Sequence, residues 1–193
     1  MIDFTNIKYL KSGNVRQQLS YKLLTENQVL SLLEEFDPLL VGTIPIGIDL
    51  PQSDLDIVCC FENKDYFFQR VSDLFYKTRD FKINHRVAHE AVVANFWIGD
   101  FEIEIFGQNI PCRQQNGYRH MLVEYQLLVG LGESFKNEIV YLKRNGYKTE
   151  PAFAKVLGLA GDPYEALLNC NPEDLIKSGW HSSQACSTNI EGK

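Results

Sequence analysis

The order of apolar and polar positions along the chain predicts short strands framed by helices. Alternation is clearest in residues 101–106 (FEIEIF), which is typical of a strand with one buried face. Gly99 and Asp100 precede it and are predicted to form a tight turn that joins it to the previous strand as a hairpin. The predicted strands number about five: 39–41, 54–61, 81–87, 91–98 and 101–106.

Helical spacing of apolar residues marks the segments around these strands. Residues 14–36 are predicted as two amphipathic helices, the second N-capped by Thr25. Residues 63–78 are predicted as a helix that covers the sheet. Beyond residue 108 the chain is predicted to be helical, with helices at 117–129 and 135–143, an N-cap at Ser134, and short helices beginning near Pro151 and Pro163.

This order of elements predicts an α+β fold, in which helices flank a mixed β-sheet of about five strands and a C-terminal helical region follows. We expect residues 1–110 to form the α/β core together with the N-terminal helices. Residues 111–177 are expected to form a helical region packed on that core, and 178–193 a mobile tail. A chain of 193 residues, 45% of them hydrophobic, is long enough for such a core.

Charge and cysteine content narrow the expected partners and compartment. The net charge of −6 argues against broad electrostatic binding of nucleic acid, so a small-molecule or protein substrate is expected. The five cysteines contain no C-x-x-C pair, which argues against a zinc site or a disulfide framework. The chain has no long apolar run and no charged-then-apolar leader, so we expect a soluble cytoplasmic protein that binds no membrane.

The stretch 39–61 (LLVGTIPIGIDLPQSDLDIVCCF) contains most of the candidate functional residues. A buried strand leads directly into Gly42 and Thr43, and Gly47 follows. Glycine leaves the backbone without much side-chain bulk, so a phosphate could approach at this turn.

Two carboxylates follow that turn. Asp54 and Asp56 lie on one face of a strand, because side chains alternate, and are about 6 to 7 Å apart along it. Such a pair repels itself unless a cation or donors neutralise it, and hard oxygen ligands suit Mg²⁺ or Mn²⁺. Taken alone, a D-x-D is more often a solvated strand end, with Ser53 merely capping a turn.

A third carboxylate is available downstream. Glu102 and Glu104 share one face of the alternating strand, opposite to its apolar residues. The alternative is a half-exposed strand whose outer face is acidic.

Gly42-Thr43, Gly47 and Ser53-Asp54-Leu55-Asp56 together resemble the signature of the nucleotidyltransferase superfamily of the polymerase-beta type. The family usually has serine where this chain has Thr43, which keeps the hydroxyl, and Pro45 makes the turn stiffer than usual. The resemblance implies a minimal nucleotidyltransferase fold and a site for ATP or another nucleoside triphosphate (NTP) with Mg²⁺ or Mn²⁺. It also implies an acidic residue on a later strand, for which Glu104 is our choice and Glu102 the second. The residues it implies are therefore Asp54, Asp56 and Glu104 as catalytic and metal-binding groups, and Gly42, Thr43, Gly47 and Ser53 as nucleotide-binding groups.

The helical part carries two further resemblances. Arg119-His120 and Lys143 are similar to the helical end of GrpB-like proteins, which are members of the same superfamily. Residues 146–155 and 158–164, with the glycine turn, resemble an uncharacterised bacterial family of unknown function in that superfamily, over roughly residues 41–168. The predicted nucleotide-binding residues in this part are Arg119, His120, Lys143 and Lys148.

Each of these residues also has a structural interpretation. Arg119, Lys143 and Lys148 are equally compatible with surface charges on amphipathic helices, and His120 with a hydrogen-bonded core histidine.

The predicted function is metal-dependent transfer of a nucleoside monophosphate from an NTP to an unknown acceptor hydroxyl, on a small molecule or a protein. Two alternatives stay open. One is a nucleotide-binding or regulatory module without transfer activity. The other is the antitoxin-type nucleotidyltransferase partner of a small helical protein.

Overall fold

The computed structural model describes residues 2–180, which form two compact units divided between Arg119 and His120. A five-stranded sheet lies in the first unit, and the second unit is helical. The predicted α+β fold, with a mixed sheet flanked by helices and C-terminal helices, is confirmed. Residues 181–193, which make up most of the predicted tail, lie outside the described residues.

The sheet contains one parallel pair of strands among antiparallel ones. Its spatial order is β1-β2-β5-β4-β3, and β2 and β5 run parallel while the other neighbouring pairs are antiparallel. Because β2 and β5 run parallel, the segment with Asp54 and Asp56 lies beside the segment with Glu102 and Glu104. The strands are β1 (Leu39–Val41), β2 (Leu55–Cys60), β3 (Arg79–Arg86), β4 (Ala91–Ile98) and β5 (Phe101–Gln108).

One face of the sheet forms the core of the first unit. Alternate strand residues, such as Leu55 and Ile57 of β2 and Ile103 and Ile105 of β5, are fully buried in it. Helices pack against this face, and Phe67 lies so close to β5 that a Cβ at Gly107 would be 2.3 Å from its ring. The residues between the buried ones therefore project from the opposite face. The helices of this unit are α1 (Val15–Glu26), α2 (Val29–Leu32), α3 (Thr43–Ile46) and α4 (Lys64–Phe75).

The boundary between α1 and α2 differs from the prediction. Thr25 lies within the last turn of α1, and its hydroxyl donates a hydrogen bond to the carbonyl of Tyr21 at 2.7 Å. The chain then turns at Gln28, which has a φ of 53° and stands at the N-cap of α2. The predicted N-cap at Thr25 is therefore wrong, because its hydroxyl is already bonded back into α1.

The second unit consists of helices joined by short turns. The predicted N-cap at Ser134 is wrong, because Ser134 lies inside a helix whose N-cap is Gly132, at a φ of 82°. Pro163 does open a helix, and Asp162 caps it by accepting hydrogen bonds from the next two backbone amides. Trp180 packs edge-on against Phe135, with ring centroids 5.5 Å apart. The helices are α5 (Asn116–Leu131), which begins before the division, α6 (Glu133–Arg144), α7 (Thr149–Leu157), α8 (Pro163–Asn169) and α9 (Pro172–Ser178).

The four cysteines within residues 2–180, Cys59, Cys60, Cys112 and Cys170, are free thiols. None of the helices in this range is both long and apolar enough to cross a bilayer. The predicted cytoplasmic location stays a prediction.

Candidate functional site

A row of residues crosses the sheet on the face opposite to the core. Asp56 is the register partner of Glu104 across the parallel pair, and Glu104 is in turn the partner of Asn95 on β4. Neighbouring strands are about 4.8 Å apart, so the backbones of Asp56 and Glu104 are immediate neighbours. The complete row is Val41, Asp56, Glu104, Asn95 and Lys82.

Asp54, the first carboxylate of the predicted D-x-D pair, lies just outside the ladder. Asp54 precedes β2 by one residue and is half-buried. The same register, continued before β2 begins, sets Asp54 beside Glu102, whose partner on β4 is Trp97. Both glutamates therefore project from the same sheet face as Asp56. Glu104 is the one that lies directly beside Asp56 on the neighbouring strand.

Gly42 brings the backbone against one of these carboxylates. It has a φ of 82° and a ψ of −152°, a conformation that is essentially restricted to glycine. A Cβ built on Gly42 would lie 2.2 Å from Oδ2 of Asp56, so no side chain fits there unless Asp56 moves. Gly42 thus lets the turn after β1 approach the Asp56 carboxylate.

The rest of the turn is held by its own hydrogen bonds. Thr43 begins α3, and Gly47 ends it with a φ of 70° while its amide donates to the carbonyl of Ile44. The hydroxyl of Ser53 accepts a hydrogen bond from the amide of Leu50 at 2.9 Å, as a turn cap does. The Thr43 and Ser53 hydroxyl oxygens are 3.4 Å apart, so the two ends of the turn meet.

Asn95 is a site neighbour that the sequence prediction missed. Its Nδ2 donates to Oε2 of Glu104 at 3.2 Å and so orients that carboxylate. The sequence does contain a signal for it, since Asn95 is an amide in the otherwise apolar strand AVVANFWI, and a partly buried amide needs a hydrogen-bond partner.

The chemistry of these donors fits a hard divalent cation. Asp54, Asp56 and Glu104 are carboxylates on one face of the sheet, and Gly42 leaves open backbone beside them. Within residues 2–180, however, no three His, Cys, Asp or Glu side chains are already arranged to hold a metal ion.

The cationic residues predicted to bind nucleotide fall into two groups. Arg119 and Lys148 are exposed, and Arg119 is bonded to the side chain of Asn116 at 3.3 Å. His120 and Lys143 are buried, with 6% and 8% of their surface exposed. Their roles toward a nucleotide stay predictions.

The buried pair belongs to an ionisable cluster within the second unit. The Nε2 of His120 is 2.9 Å from the carbonyl of Tyr164, and its Nδ1 is 3.8 Å from Oε1 of Glu150. This is the environment that a hydrogen-bonded core histidine has. Burial raises the pKa of Glu124 to about 8, the negative charge of Glu150 adds to the rise, and Lys143 opposes it.

The fold is shared with solved nucleotidyltransferase structures. One is the Cid1 poly(U) polymerase bound to MgGTP, at 11% identity and a TM-score of 0.53, covering 77% of this chain and 47% of that one. Another is Cid1 in complex with its short product ApU, at 13% identity and a TM-score of 0.52, covering 86% and 52%. A third structure, again of Cid1 and described by its RNA terminal uridylyl transferase activity, has 10% identity and a TM-score of 0.53, and the match covers 83% of this chain and 52% of that one. The chain thus spans about half the length of these structures, and at this identity the likeness establishes a nucleotidyltransferase-like fold.

Comparison of sequences assigns the family. Among curated proteins, none matches this chain significantly. The likeness to GrpB-like proteins therefore remains the local resemblance described above. A family model matches residues 22–170, which include both strands of the candidate site and most of the helical unit. The chain accordingly belongs to the family described as a domain of unknown function, DUF4269.

Proposed function

We propose that this protein is a metal-dependent nucleotidyltransferase that moves a nucleoside monophosphate from ATP or another NTP to an acceptor hydroxyl. The observation that carries the proposal is the pairing of Asp56 with Glu104 on the sheet face opposite to the core, against the backbone of Gly42. The nucleotidyltransferase-like fold supports it.

In this proposal each residue of the site has a distinct task. Asp54 and Asp56, with Glu104, would bind Mg²⁺ or Mn²⁺ after their side chains turn toward one another. When bound, the cation would offset negative charge on the phosphates as the reaction proceeds. The backbone amides of Gly42 and Thr43, and the Thr43 hydroxyl, would donate hydrogen bonds to phosphate oxygens.

The transfer step forms one bond and breaks one. The acceptor oxygen bonds to the α-phosphorus while its proton passes to the Glu104 carboxylate, which Asn95 orients from β4 at 3.2 Å. The bond between the α-phosphorus and the bridging oxygen breaks, and pyrophosphate leaves with that electron pair.

A second candidate is a nucleotide-binding module without transfer activity. It is favoured by the lack, within residues 2–180, of three side chains already arranged to hold a metal ion. Such a module would bind the nucleotide at the same turn and signal to a protein partner, for instance a small helical protein. It would release no pyrophosphate.

The acceptor is assigned here only as a hydroxyl group. A small molecule or a protein fits the net charge of −6. RNA is a third candidate acceptor, because the similar structures of Cid1 are described as those of a poly(U) polymerase and by its RNA terminal uridylyl transferase activity.

Parallel incubations with NTPs labelled at the α- or the γ-phosphate test the proposal. Acceptors would be RNA oligonucleotides, a small-molecule extract and the protein itself, with Mg²⁺ or Mn²⁺ present. We expect only the α-label to be transferred, with release of pyrophosphate, and Asp54→Asn and Asp56→Asn to lose this transfer while remaining folded.

Asp65→Asn is a matched control, because Asp65 is an exposed carboxylate on α4 of the same unit. It should transfer as the wild type does. Transfer of the γ-label, or undiminished transfer in both site variants, would contradict the proposal. NTP binding without transfer of either label and without pyrophosphate release would favour the non-catalytic module.

A further inference from the structure

The first turn of α1 braces the turn that carries the candidate site. Asn14 and Gln17 form a capping box, in which each side chain accepts a hydrogen bond from the other residue's backbone amide at 2.9 Å. The Nε2 of Gln17 then donates to the carbonyls of Ile44 and Pro45, at 2.8 and 3.1 Å. The end of α3 is thereby fixed to the start of α1.

Arg16, between those two residues, reaches further along the same turn. Its Nη2 donates to the carbonyl of Ser53 at 2.5 Å, and its Nε lies 3.4 Å from Oδ2 of Asp49. The side chains of Arg16 and Asp49 are only 24% and 11% exposed, so solvent screens this pair less than it would screen a surface pair.

The same guanidinium also contacts the strand of the third carboxylate. Its Cζ lies 4.5 Å from the ring centroid of Phe101, the first residue of β5. Phe101 immediately precedes Glu102 and is three residues before Glu104. One side chain thus holds the peptide before Asp54 against the beginning of the strand that carries Glu104.

This contact matters because Asp54 is outside the ladder. β2 begins at Leu55, so Asp54 lies just before the register pairs that fix the direction of Asp56. Within the described structure, the contacts that orient the preceding residue, Ser53, are those made by Arg16, Thr43 and Leu50.

From this geometry we infer that Arg16 is a positioning residue that holds Asp54 in line with Asp56 and Glu104 by clamping the Ser53 carbonyl. The inference rests on the proposed function, because it assigns Asp54 to a cation site. Arg16 acts through the backbone and touches neither the cation nor the nucleotide. A planar guanidinium suits the task, since it stacks on Phe101 while its N–H groups point outward in the same plane.

Binding of Mn²⁺ alone to the full chain, measured by calorimetry, tests the inference without any need for activity. Partners that orient metal ligands typically contribute about 10- to 100-fold to metal affinity, so Arg16→Met should weaken Mn²⁺ binding by about that factor. Arg16→Lys keeps the positive charge but loses the planar guanidinium that stacks on Phe101 and donates to Ser53. Its Mn²⁺ affinity should lie between those of Arg16→Met and the wild type.

Arg70→Met is the matched control. Arg70 also makes an ion pair in the first unit, with Glu35 at 2.9 Å, and within residues 2–180 its hydrogen bond and ion pair go to Glu35 and not to the turn. We expect it to break an ion pair of the same unit and to leave Mn²⁺ affinity unchanged.

The possible outcomes distinguish the positioning role of Arg16 from the cation site itself. Wild-type Mn²⁺ affinity in both Arg16 variants, together with loss of affinity in Asp54→Asn, overturns the role of Arg16 alone. If Asp54→Asn and Asp56→Asn bind Mn²⁺ as the wild type does, the cation site itself is refuted, and the positioning role falls with it. If Arg16→Met does not fold, Arg16→Lys decides.

Discussion

Asp56 and Glu104 are direct register partners on the parallel strands β2 and β5, and both project from the sheet face opposite to the core. Because the register is continuous across the pair, this relationship is set by the backbone and does not depend on a flexible loop. Asp54 differs, since it precedes the ladder and is oriented through the turn that contains it. In the candidate site, the strand register therefore fixes Asp56 and Glu104, whereas contacts of the preceding turn must hold Asp54 in place.

The choice between the two glutamates can be tested directly. We expect Glu104→Gln to reduce nucleotidyl transfer by about 10²- to 10⁴-fold, the usual effect of losing a catalytic acid or base. Glu102→Gln should have an effect of less than about tenfold, because Glu102 lies two residues before Glu104, the register partner of Asp56. Steady-state turnover of both variants checks this. A larger loss in Glu102→Gln would assign the third carboxylate to Glu102.

Gly42→Ala should displace the Asp56 carboxylate. The added methyl group would lie 2.2 Å from Oδ2 of Asp56, and a φ of 82° strains any side-chain-bearing residue. We expect the unfolding free energy to fall by about 1 to 3 kcal/mol and nucleotidyl transfer to be lost. Urea unfolding and a transfer assay measure the two effects.

Gly132→Ala is a control that adds the same backbone strain without displacing the Asp56 carboxylate. Gly132 has the same φ of 82°, but apart from Gly132 and its two chain neighbours no residue of the described structure has a heavy atom within 4 Å of the position that an added Cβ would take. It should lose comparable stability and keep its activity. Equal activity in Gly42→Ala and the wild type would show that the close approach of Gly42 to Asp56 is irrelevant to transfer.

Glu124 should make stability depend on pH. Its carboxyl is buried, which raises its pKa from 4.5 to about 8, so the folded protein binds one more proton than the unfolded chain between these values. The unfolding free energy therefore falls as pH rises through this window, by at most about 5 kcal/mol. His120, Lys143 and Glu150 face the same cluster and modulate the slope.

Urea unfolding at pH 5 and pH 8 measures this contribution. Glu124→Gln cannot ionise, so the difference in stability between the two pH values should shrink. Glu173→Gln, an exposed carboxylate of the same unit, should leave the difference as it is in the wild type. An unchanged difference in Glu124→Gln would show that Glu124 does not titrate in this window.

Local pattern was sufficient to predict the elements that carry the site. The alternation of FEIEIF corresponds to β5, and Gly99-Asp100 lies in the turn of the β4–β5 hairpin. These features depend on residues close in sequence, where side-chain periodicity and turn preferences act directly. The fold class followed from their order.

Contacts between distant segments could not be predicted in this way. Arg16 reaches Ser53, 37 residues away, and nothing in the periodicity of α1 indicates that contact. Lys143 has an ordinary surface pattern in sequence but is 8% exposed in the folded unit. The N-cap at Thr25 failed for a related reason, because its hydroxyl is bonded back to Tyr21.

The central claim is that Asp54, Asp56 and Glu104 hold the cation that binds the NTP phosphates. Anomalous diffraction from crystals grown with Mn²⁺ and a non-hydrolysable NTP analogue tests it most directly. The predicted result is a Mn²⁺ peak coordinated by these carboxylates, with the phosphates against Gly42 and Thr43. Mn²⁺ and phosphates bound elsewhere, with Asp54 and Asp56 making no contact to either, would contradict the claim.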